Sequence, residues 1–204
     1  MTLEQDLQTL RTRLPPLPPA VPRPALVVLV GLPGTGKSYF AAQLAALFPL
    51  AVVESDVMRK ALFPRPSYTS KESARVFAAI HALLRELLAR GVPALLDATN
   101  LVEANRRVLE RIAEEADAGL VLVRLTAPES VARKRLEARS ASGNARTNSD
   151  ADWSVYKRLL REDQPIQRNH VVVDSSSDIQ PALAGIARGL EQSTQPGDAS
   201  RGGE

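Results

Sequence analysis

Short apolar runs alternate with longer amphipathic segments along most of the 204-residue chain. Each apolar run has the length of a buried β-strand, and each amphipathic segment repeats its apolar residues at helical spacing. The predicted strands are Ala25–Val30, Leu50–Val53, Pro93–Leu96, Leu120–Leu125 and His170–Val173. The predicted helices lie near residues 37–48, 70–90, 103–117, 128–141, 149–163 and 178–190. Because the strands are apolar on both faces, they predict an α/β fold with a five-stranded parallel sheet and helices on both faces.

The segment 70–90 carries the clearest helix pattern. Thr69 and Glu72 have the spacing of a capping box at its start, and apolar residues recur every three or four positions after them. Gly91 is placed to end the helix, and Pro93 prevents it from restarting. This segment therefore predicts a long amphipathic helix.

The two ends of the chain differ in composition from its middle. The leucines between Leu3 and Leu14 have helical spacing, and the proline-rich stretch Pro15–Pro24 stops any helix. That stretch is typical of an extended spacer, with a ligand for a proline-recognition module as the alternative. Residues 192–204 are rich in Gly, Ser and Gln, which predicts disorder. We therefore expect a tail and linker at 1–24 and one domain at 25–191.

Composition excludes several kinds of function. The chain has no cysteine, so disulfides, thiolate catalysis and zinc–thiolate sites are excluded. No apolar run is long enough to span a membrane. The segment Met1–Leu14 carries acidic side chains and lacks the apolar core of a signal peptide. We therefore expect a cytoplasmic protein without a membrane partner.

Positive charge is concentrated in the C-terminal third. The formal net charge is +3, whereas the segment Arg124–Arg168 holds 10 basic and 6 acidic residues. Such a segment can meet ATP, a nucleic-acid backbone or another anion. The alternative is an arginine-rich, solvated helical surface without a specific partner.

A glycine-rich loop follows the first predicted strand and opens the next helix. It reads Gly31-Leu32-Pro33-Gly34-Thr35-Gly36-Lys37-Ser38, the phosphate-binding pattern in its required strand–loop–helix context. Glycines let backbone N–H groups converge on phosphate oxygens, and the helix N-terminus adds partial positive charge. Lys37 would reach the β- and γ-phosphates of ATP, and Ser38 would bind Mg²⁺. The candidate ATP-binding residues here are Gly31, Pro33, Gly34, Thr35, Gly36, Lys37 and Ser38.

Charged residues follow the second and third predicted strands. Asp56 lies just after the second strand, with Arg59 about one helical turn further on. Asp56 is a candidate base for an acceptor hydroxyl and Arg59 a candidate phosphate contact, although a helix cap with a solvated neighbour is the alternative. Asp97 ends the third strand, where it could assist Mg²⁺ through water or orient Arg59. A turn formed by Asp97 and Asn100 is the structural alternative.

Arginines are frequent between residues 133 and 163, which we expect to form a helical lid. Arg135 and Arg139 are four residues apart and share a helix face, so both can approach the phosphates of ATP when the lid closes. Surface arginines chosen for helix propensity are the alternative. On the preceding helix we expect Arg106 and Arg107 to be exposed to solvent, with an orientation into the cleft as the alternative for either.

Together these motifs resemble the P-loop kinases of the polynucleotide 5′-hydroxyl kinase group and related small AAA-type kinases. Zeta toxins and chloramphenicol phosphotransferases are looser relatives. The resemblance covers about Ala25 to Asp174. It implies that Asp56 is the general base, that Arg59 contacts a phosphate of the acceptor and that Asp97 organises that site. It also implies that Arg139 is the lid arginine on the donor phosphates.

The resemblance implies transfer of the γ-phosphoryl group of ATP to a hydroxyl, with Mg²⁺. The first expected acceptor is a 5′-hydroxyl of RNA or DNA. A small-molecule kinase acting on a sugar, an antibiotic or another metabolite is the alternative. A nucleotide-dependent switch or ATPase that transfers nothing is a third interpretation, and Asp56 argues against it because a switch needs no acceptor base. The sequence gives neither the oligomeric state nor the purine preference.

Overall fold

The computed structural model describes residues 2–141 and 150–194, in which five strands and eight helices alternate. The strands are β1 (Ala25–Val30), β2 (Ala51–Glu54), β3 (Ala94–Asp97), β4 (Gly119–Thr126) and β5 (Val171–Asp174). The helices are α1 (Leu3–Arg11), α2 (Lys37–Leu47), α3 (Ser55–Leu62), α4 (Ser70–Ala89), α5 (Glu103–Glu115), α6 (Glu129–Ala141), α7 (Trp153–Leu160) and α8 (Gln180–Thr194). The boundaries lie close to those predicted from the apolar pattern, and α3 begins directly after β2.

The five strands form one parallel sheet in the order β2-β3-β1-β4-β5, which confirms the predicted fold class. In the centre of the sheet Val27 pairs with Leu95 of β3 on one side and with Val121 of β4 on the other. The next two strands in the chain, β2 and β3, thus lie on one side of β1, and the last two, β4 and β5, lie on the other side. At such a reversal the carboxyl ends of neighbouring strands border a crevice in which ligands bind.

Two apolar cores cover the two faces of this sheet. Side chains alternate along β1, so Leu26 and Val28 enter one core and Val27 and Leu29 enter the other. The larger core is closed by α1, α3, α4 and α5, and the smaller by α2 and α8. Burial on both faces explains why the strands read as continuous apolar runs.

Helix α1 is part of the larger core, although the sequence suggests a tail outside the domain. Leu7 and Leu10 are buried in that core. Asp6 accepts hydrogen bonds from Arg75 of α4 at 2.6 and 2.7 Å, and Arg11 pairs with Glu86 of α4 at 2.8 Å. The proline-rich stretch that was expected to be a spacer thus follows a helix, α1, that packs on the domain.

The proline-rich stretch lies against the end of α4. Gly91 ends this helix as predicted, with a φ of +75°, and its carbonyl accepts a hydrogen bond from the Val21 N–H at 2.8 Å. A Cβ on Gly91 would lie only 2.8 Å from the Val21 carbonyl oxygen, so this close approach requires glycine.

The opposite end is helical further than predicted. Helix α8 continues to Thr194, whose hydroxyl donates to the Leu190 carbonyl at 2.8 Å, so residues 192–194 of the predicted disordered tail are helical. Residues 195–204 lie outside the described part of the chain, as does the segment 142–149 of the predicted lid. Among the helices of 2–141 and 150–194, none combines the length and the apolar character needed to cross a membrane.

Candidate functional site

The glycine-rich loop connects β1 to α2 and is enclosed by β4 and α6. A Cβ on Gly31 would lie 2.5 Å from the Leu125 carbonyl oxygen, and one on Gly34 would lie 2.8 Å from the Ala132 carbonyl oxygen. Both residues have positive φ, +154° and +81°. Larger side chains would therefore strain the backbone and push α6 off the loop. The predicted loop geometry is present, with α6 directly against it.

Lys37 extends from the first turn of α2 back over this loop. Its Nζ donates a hydrogen bond to the Leu32 carbonyl at 3.0 Å. Burial of the ammonium lowers the Lys37 pKa, while the nearby carboxylates of Asp97 and Asp56 raise it. The predicted phosphate-binding lysine thus lies within the field of both predicted carboxylates.

The loop borders a cavity of about 1010 Å³ at the carboxyl ends of β1, β2 and β3. The loop with α6 lines one part of it, α3 with α4 another part, and α7 also contributes to the lining. Predicted site residues that line this cavity are Pro33, Gly34, Gly36, Lys37, Ser38, Asp56, Arg59, Asp97, Arg135 and Arg139. Gly31 and Thr35 support the loop from behind, since both are buried and Thr35 donates to the Leu32 carbonyl at 2.8 Å.

Asp56 and Asp97 are brought together by the sheet. Glu54, at the end of β2, is in register with Asp97 at the end of β3, and Asp56 follows two residues later in the first turn of α3. The Asp56 charge raises the pKa of Lys37 and opposes the lowering of the Arg139 pKa by burial. Asp56 therefore stands between the phosphate loop and the lid, where the sequence predicts an acceptor base.

Arg59 lines the cavity beside Asp56, but its guanidinium is held by residues for which the sequence predicted no role in the site. It donates to Glu72 Oε1 at 2.5 Å and to Ser73 Oγ at 3.2 Å, and its Cζ lies 4.9 Å from the centre of the Tyr68 ring. The orienting carboxylate is thus Glu72, whereas Asp97 was the residue suggested for that role.

Glu72 has a second role besides the predicted helix cap. Thr69 Oγ1 accepts from the Glu72 N–H at 3.2 Å, as a capping box requires, but the Glu72 carboxylate turns to Ser67, Tyr68 and Arg59. Burial raises the Glu72 pKa, but hydrogen bonds from Ser67, Arg59 and Tyr68 outweigh this and lower it to about 2. In the sequence, the capping-box spacing already accounted for Glu72, so nothing indicated its contact with Arg59.

The two lid arginines lie on either side of the loop entrance. Arg135 donates to the Gly34 carbonyl at 3.2 Å, to Ser175 Oγ at 2.8 Å and to the Ser175 carbonyl at 2.8 Å. Arg139 enters the large cavity and donates to the Ala151 carbonyl. Burial lowers the Arg139 pKa, and the carboxylates of Asp56 and Asp150 act in the opposite direction.

A second cavity, of about 370 Å³, lies on the far side of Arg135. It opens between the start of α2 and the loop that connects β5 to α8. Its lining residues are Gly36, Tyr39, Arg135, Ser175, Ser177, Asp178, Ile179 and Gln180. The sequence did not indicate the β5–α8 loop, which carries no charged motif, and only the position of β5 beside β4 places it here.

Asn100 and Arg106 do not line the large cavity, and their side chains bond to other parts of the protein. Asn100 Nδ2 donates to the Leu29 carbonyl at 2.8 Å. Arg106 is fully buried, against the expectation that it would be exposed, and pairs with Glu103 at 2.6 Å. Its guanidinium also donates to the carbonyls of Asn100, Leu101, Gln164 and Pro165. The predicted exposure of the neighbouring Arg107 is confirmed.

The residues suited to Mg²⁺ share the large cavity. Ser38 and Asp97 both line it, and Ser38 follows the phosphate-binding lysine directly. The described residues contain no group of three His, Asp or Glu side chains that could hold a metal by themselves. This donor set fits Mg²⁺, which keeps several waters and binds through one or two protein oxygens and the phosphates.

The fold and this loop define a kinase-like P-loop domain. Residues 26–166 match the model of the AAA_33 family, described as an AAA domain, and the chain belongs to that family. The match contains the phosphate loop, α3, α4, both predicted lid arginines and α7.

Among curated proteins, L-seryl-tRNA(Sec) kinase of Methanococcus maripaludis is 30% identical over 112 residues. That match covers 54% of this chain and 44% of the relative, so the chain spans less than half the length of that relative.

Solved structures share the fold along nearly their whole length. A gluconokinase from Sinorhizobium meliloti is 26% identical with a TM-score of 0.58, and the match covers 83% of this chain and 95% of that one. Kti12 from Chaetomium thermophilum, solved with ADP-AlF3, is 19% identical with a TM-score of 0.66, covering 84% of this chain and 100% of that one.

Proposed function

We propose that the protein is an ATP-dependent kinase that transfers the γ-phosphoryl group to an alcohol. The observation that carries this proposal is the shared cavity of Lys37, Asp56 and Arg139. A phosphate loop faces a carboxylate across this cavity, and the lid supplies a guanidinium. Phosphoryl transfer depends chiefly on positioning and on stabilisation of charge, and this arrangement provides both.

The donor nucleotide would occupy the loop and the smaller cavity. Backbone N–H groups and Lys37 would hold the phosphates, Ser38 would bind Mg²⁺, and Asp97 would act on the metal through water. Mg²⁺, when bound, neutralises charge on the β- and γ-phosphates. Arg135, which separates the two cavities, would reach the donor from one side and Arg139 from the other. The base would then lie beside Tyr39 and the β5–α8 loop.

Asp56 would accept the proton of the acceptor hydroxyl as its oxygen bonds to the γ-phosphorus. The bond between that phosphorus and the β,γ-bridging oxygen breaks, and its electron pair leaves with ADP. Lys37 and Arg139 would stabilise the negative charge on the transferring group and on the leaving oxygen. No residue of the chain becomes covalently modified in this scheme.

The side of the cavity formed by α3 and α4, here called the acceptor wall, favours a compact, uncharged alcohol. Its cavity-lining cation Arg59 is paired with Glu72, and Lys60 of the same helix is paired with Asp150 Oδ1 at 2.8 Å. Half-buried apolar side chains also line the cavity, namely Phe77 of α4 and Val155 and Leu159 of α7. A sugar-like or other small metabolite alcohol would bury its carbon skeleton there. The structural relative named a gluconokinase is compatible with an acceptor of this size.

A polynucleotide 5′-hydroxyl is the second candidate acceptor. It is favoured by exposed cations on α7 and at its C-cap, namely Lys157, Arg158 and Arg161, of which Arg158 lines the cavity. These side chains could contact phosphates beyond the terminal nucleotide, and each phosphate contact releases counterions. The curated relative named L-seryl-tRNA(Sec) kinase is compatible with an acceptor hydroxyl attached to RNA.

Transfer from γ-labelled ATP to a panel of sugars, metabolite alcohols and 5′-hydroxyl oligonucleotides separates these acceptors. We expect labelling of a neutral alcohol, with an acceptor KM that changes little with salt at saturating MgATP. Labelling of oligonucleotides alone, with a steep loss of affinity as salt increases, would replace the first candidate by the second. Lys37→Ala should abolish labelling, whereas the exposed Lys134→Ala on α6 should retain it.

A further inference from the structure

We propose that Glu72 is a positioning residue that holds Arg59 in place for the acceptor. The proposal rests on the kinase function proposed above and adds a residue to its acceptor site. Glu72 does not line the large cavity, whereas Arg59 and Ser73 do. Glu72 therefore acts through its neighbours.

The contacts of Glu72 exceed what a helix cap requires. Its carboxylate accepts from the Ser67 N–H and the Ser67 hydroxyl, each at 2.7 Å, from the Tyr68 N–H at 3.3 Å and from Arg59 at 2.5 Å. The side chains of Glu72 and Arg59 are only 5% and 8% exposed. Both charges are thus buried, and each compensates the other.

This pairing fixes the orientation of the Arg59 guanidinium. Glu72 holds one of its terminal nitrogens and Ser73 Oγ the other, while the Tyr68 ring lies against its face. An arginine that is already ordered loses less side-chain entropy when it binds a ligand. With two terminal nitrogens engaged, the guanidinium retains further N–H groups with which to contact an acceptor beside Asp56.

The same carboxylate also supports the opposite end of the acceptor wall. Tyr68 has a positive φ of +54°, a conformation that needs external support in a bulky residue. Glu72 supplies it by accepting from the Tyr68 N–H, and the Tyr68 hydroxyl then donates to Asp150 at 2.7 Å. Asp150 lies three residues before α7, so the Tyr68 ring that packs on Arg59 is held at both ends.

The test is a kinetic comparison of wild type, Glu72→Gln, Glu72→Asp and Arg59→Gln. We expect E72Q to raise the acceptor KM about tenfold or more, the loss associated with one well-placed charged hydrogen bond, and to leave the MgATP KM within about twofold. E72D, which keeps the charge, should recover part of the loss. The double variant R59Q/E72Q should bind acceptor no worse than R59Q, because Glu72 acts through Arg59.

Glu86→Gln is the matched control. Glu86 is another ion-paired carboxylate of α4, bound to Arg11 at 2.8 Å, and it does not line the cavity. We expect E86Q to keep the wild-type acceptor KM. An equal change of both KM values in E72Q, or additive losses in the double variant, would show that Glu72 only stabilises the fold and would overturn the proposal.

A measurement on arginine side chains separates this proposal from the kinase assignment. The ¹⁵N guanidinium signal of Arg59 is assigned as the one that Arg59→Lys removes. Its N–H protons should be protected from exchange with solvent in wild type and in E86Q. They should lose that protection in E72Q and keep part of it in E72D. Unchanged protection would overturn the positioning role even in an active enzyme. A wild-type protein that transfers phosphate to no acceptor would instead refute the kinase proposal, whatever the arginine spectrum shows.

Discussion

At the scale of single residues, the site brings three charged side chains, Lys37, Asp56 and Arg139, into one cavity. Burial lowers the pKa of both Lys37 and Arg139, and the carboxylate of Asp56 opposes that effect in each case. Asp56 thus helps to keep the two cations charged where they would meet the phosphates. Each of these three residues has a distinct proposed role in phosphoryl transfer, so single substitutions should separate the roles.

Asp56→Asn should reduce phosphoryl transfer by about 10²-fold or more, because it removes a positioned base. The affinity for MgATP should remain close to that of wild type, since the loop still holds the phosphates. Steady-state transfer and equilibrium nucleotide binding check the two halves of this expectation. A collapse of MgATP binding would place Asp56 in the metal site instead.

Arg139→Ala should lower the turnover number more than the affinity for ATP, because a lid guanidinium stabilises charge that develops during transfer. Arg133→Ala is the matched control on the same helix, since Arg133 is exposed and paired with Glu137 at 2.8 Å. Turnover numbers at saturating MgATP should separate the two variants. Equal turnover in R139A and R133A would return Arg139 to the surface-arginine interpretation.

At the scale of secondary structure, apolar periodicity predicted the strands and the long helices because burial on both faces leaves few polar positions in a strand. It could not predict where isolated charges would go. Arg106 has the sequence context of an exposed helical arginine, and its burial arises from carbonyls at residues 164 and 165, far away in the chain. The contact of α1 with α4 likewise depends on pairs such as Asp6 with Arg75, which no local pattern reveals.

Arg106→Ala should destabilise the protein by about 3–5 kcal/mol, because it leaves Glu103 and several buried carbonyls without their donor. Arg107→Ala, at the next position on the surface of α5, should change stability by less than about 0.5 kcal/mol. Urea unfolding of the two variants provides the comparison. Equal stabilities would show that the Arg106 contacts contribute nothing net.

Leu10→Ala should destabilise the whole domain by about 2–5 kcal/mol, because the Leu10 side chain is completely buried in the larger core. Leu3→Ala, on the exposed face of the same helix, should cost less than about 0.5 kcal/mol. One cooperative unfolding transition in both variants would accompany this result. A loss of α1 structure without loss of domain stability would instead make the helix an independent tail.

For the whole molecule, the sheet order brings the site together. The order β2-β3-β1-β4-β5 sets Asp56, Asp97 and the phosphate loop side by side at adjacent strand ends. Local motifs predicted this part of the site because each motif directly follows a strand. The β5–α8 loop and Glu72 could not be predicted in the same way, since their roles arise from contacts between elements.

The measurement that most directly tests the kinase proposal is the fate of the γ-phosphate. ATP labelled at that position should be incubated with the acceptor panel, and label should be counted separately in organic product and in inorganic phosphate. We predict that wild type places most of the label on an alcohol and that Asp56→Asn loses this product while still binding MgATP. Label that appears only as inorganic phosphate with every acceptor, at equal rates in wild type and D56N, would contradict the proposal and favour a nucleotide-dependent switch.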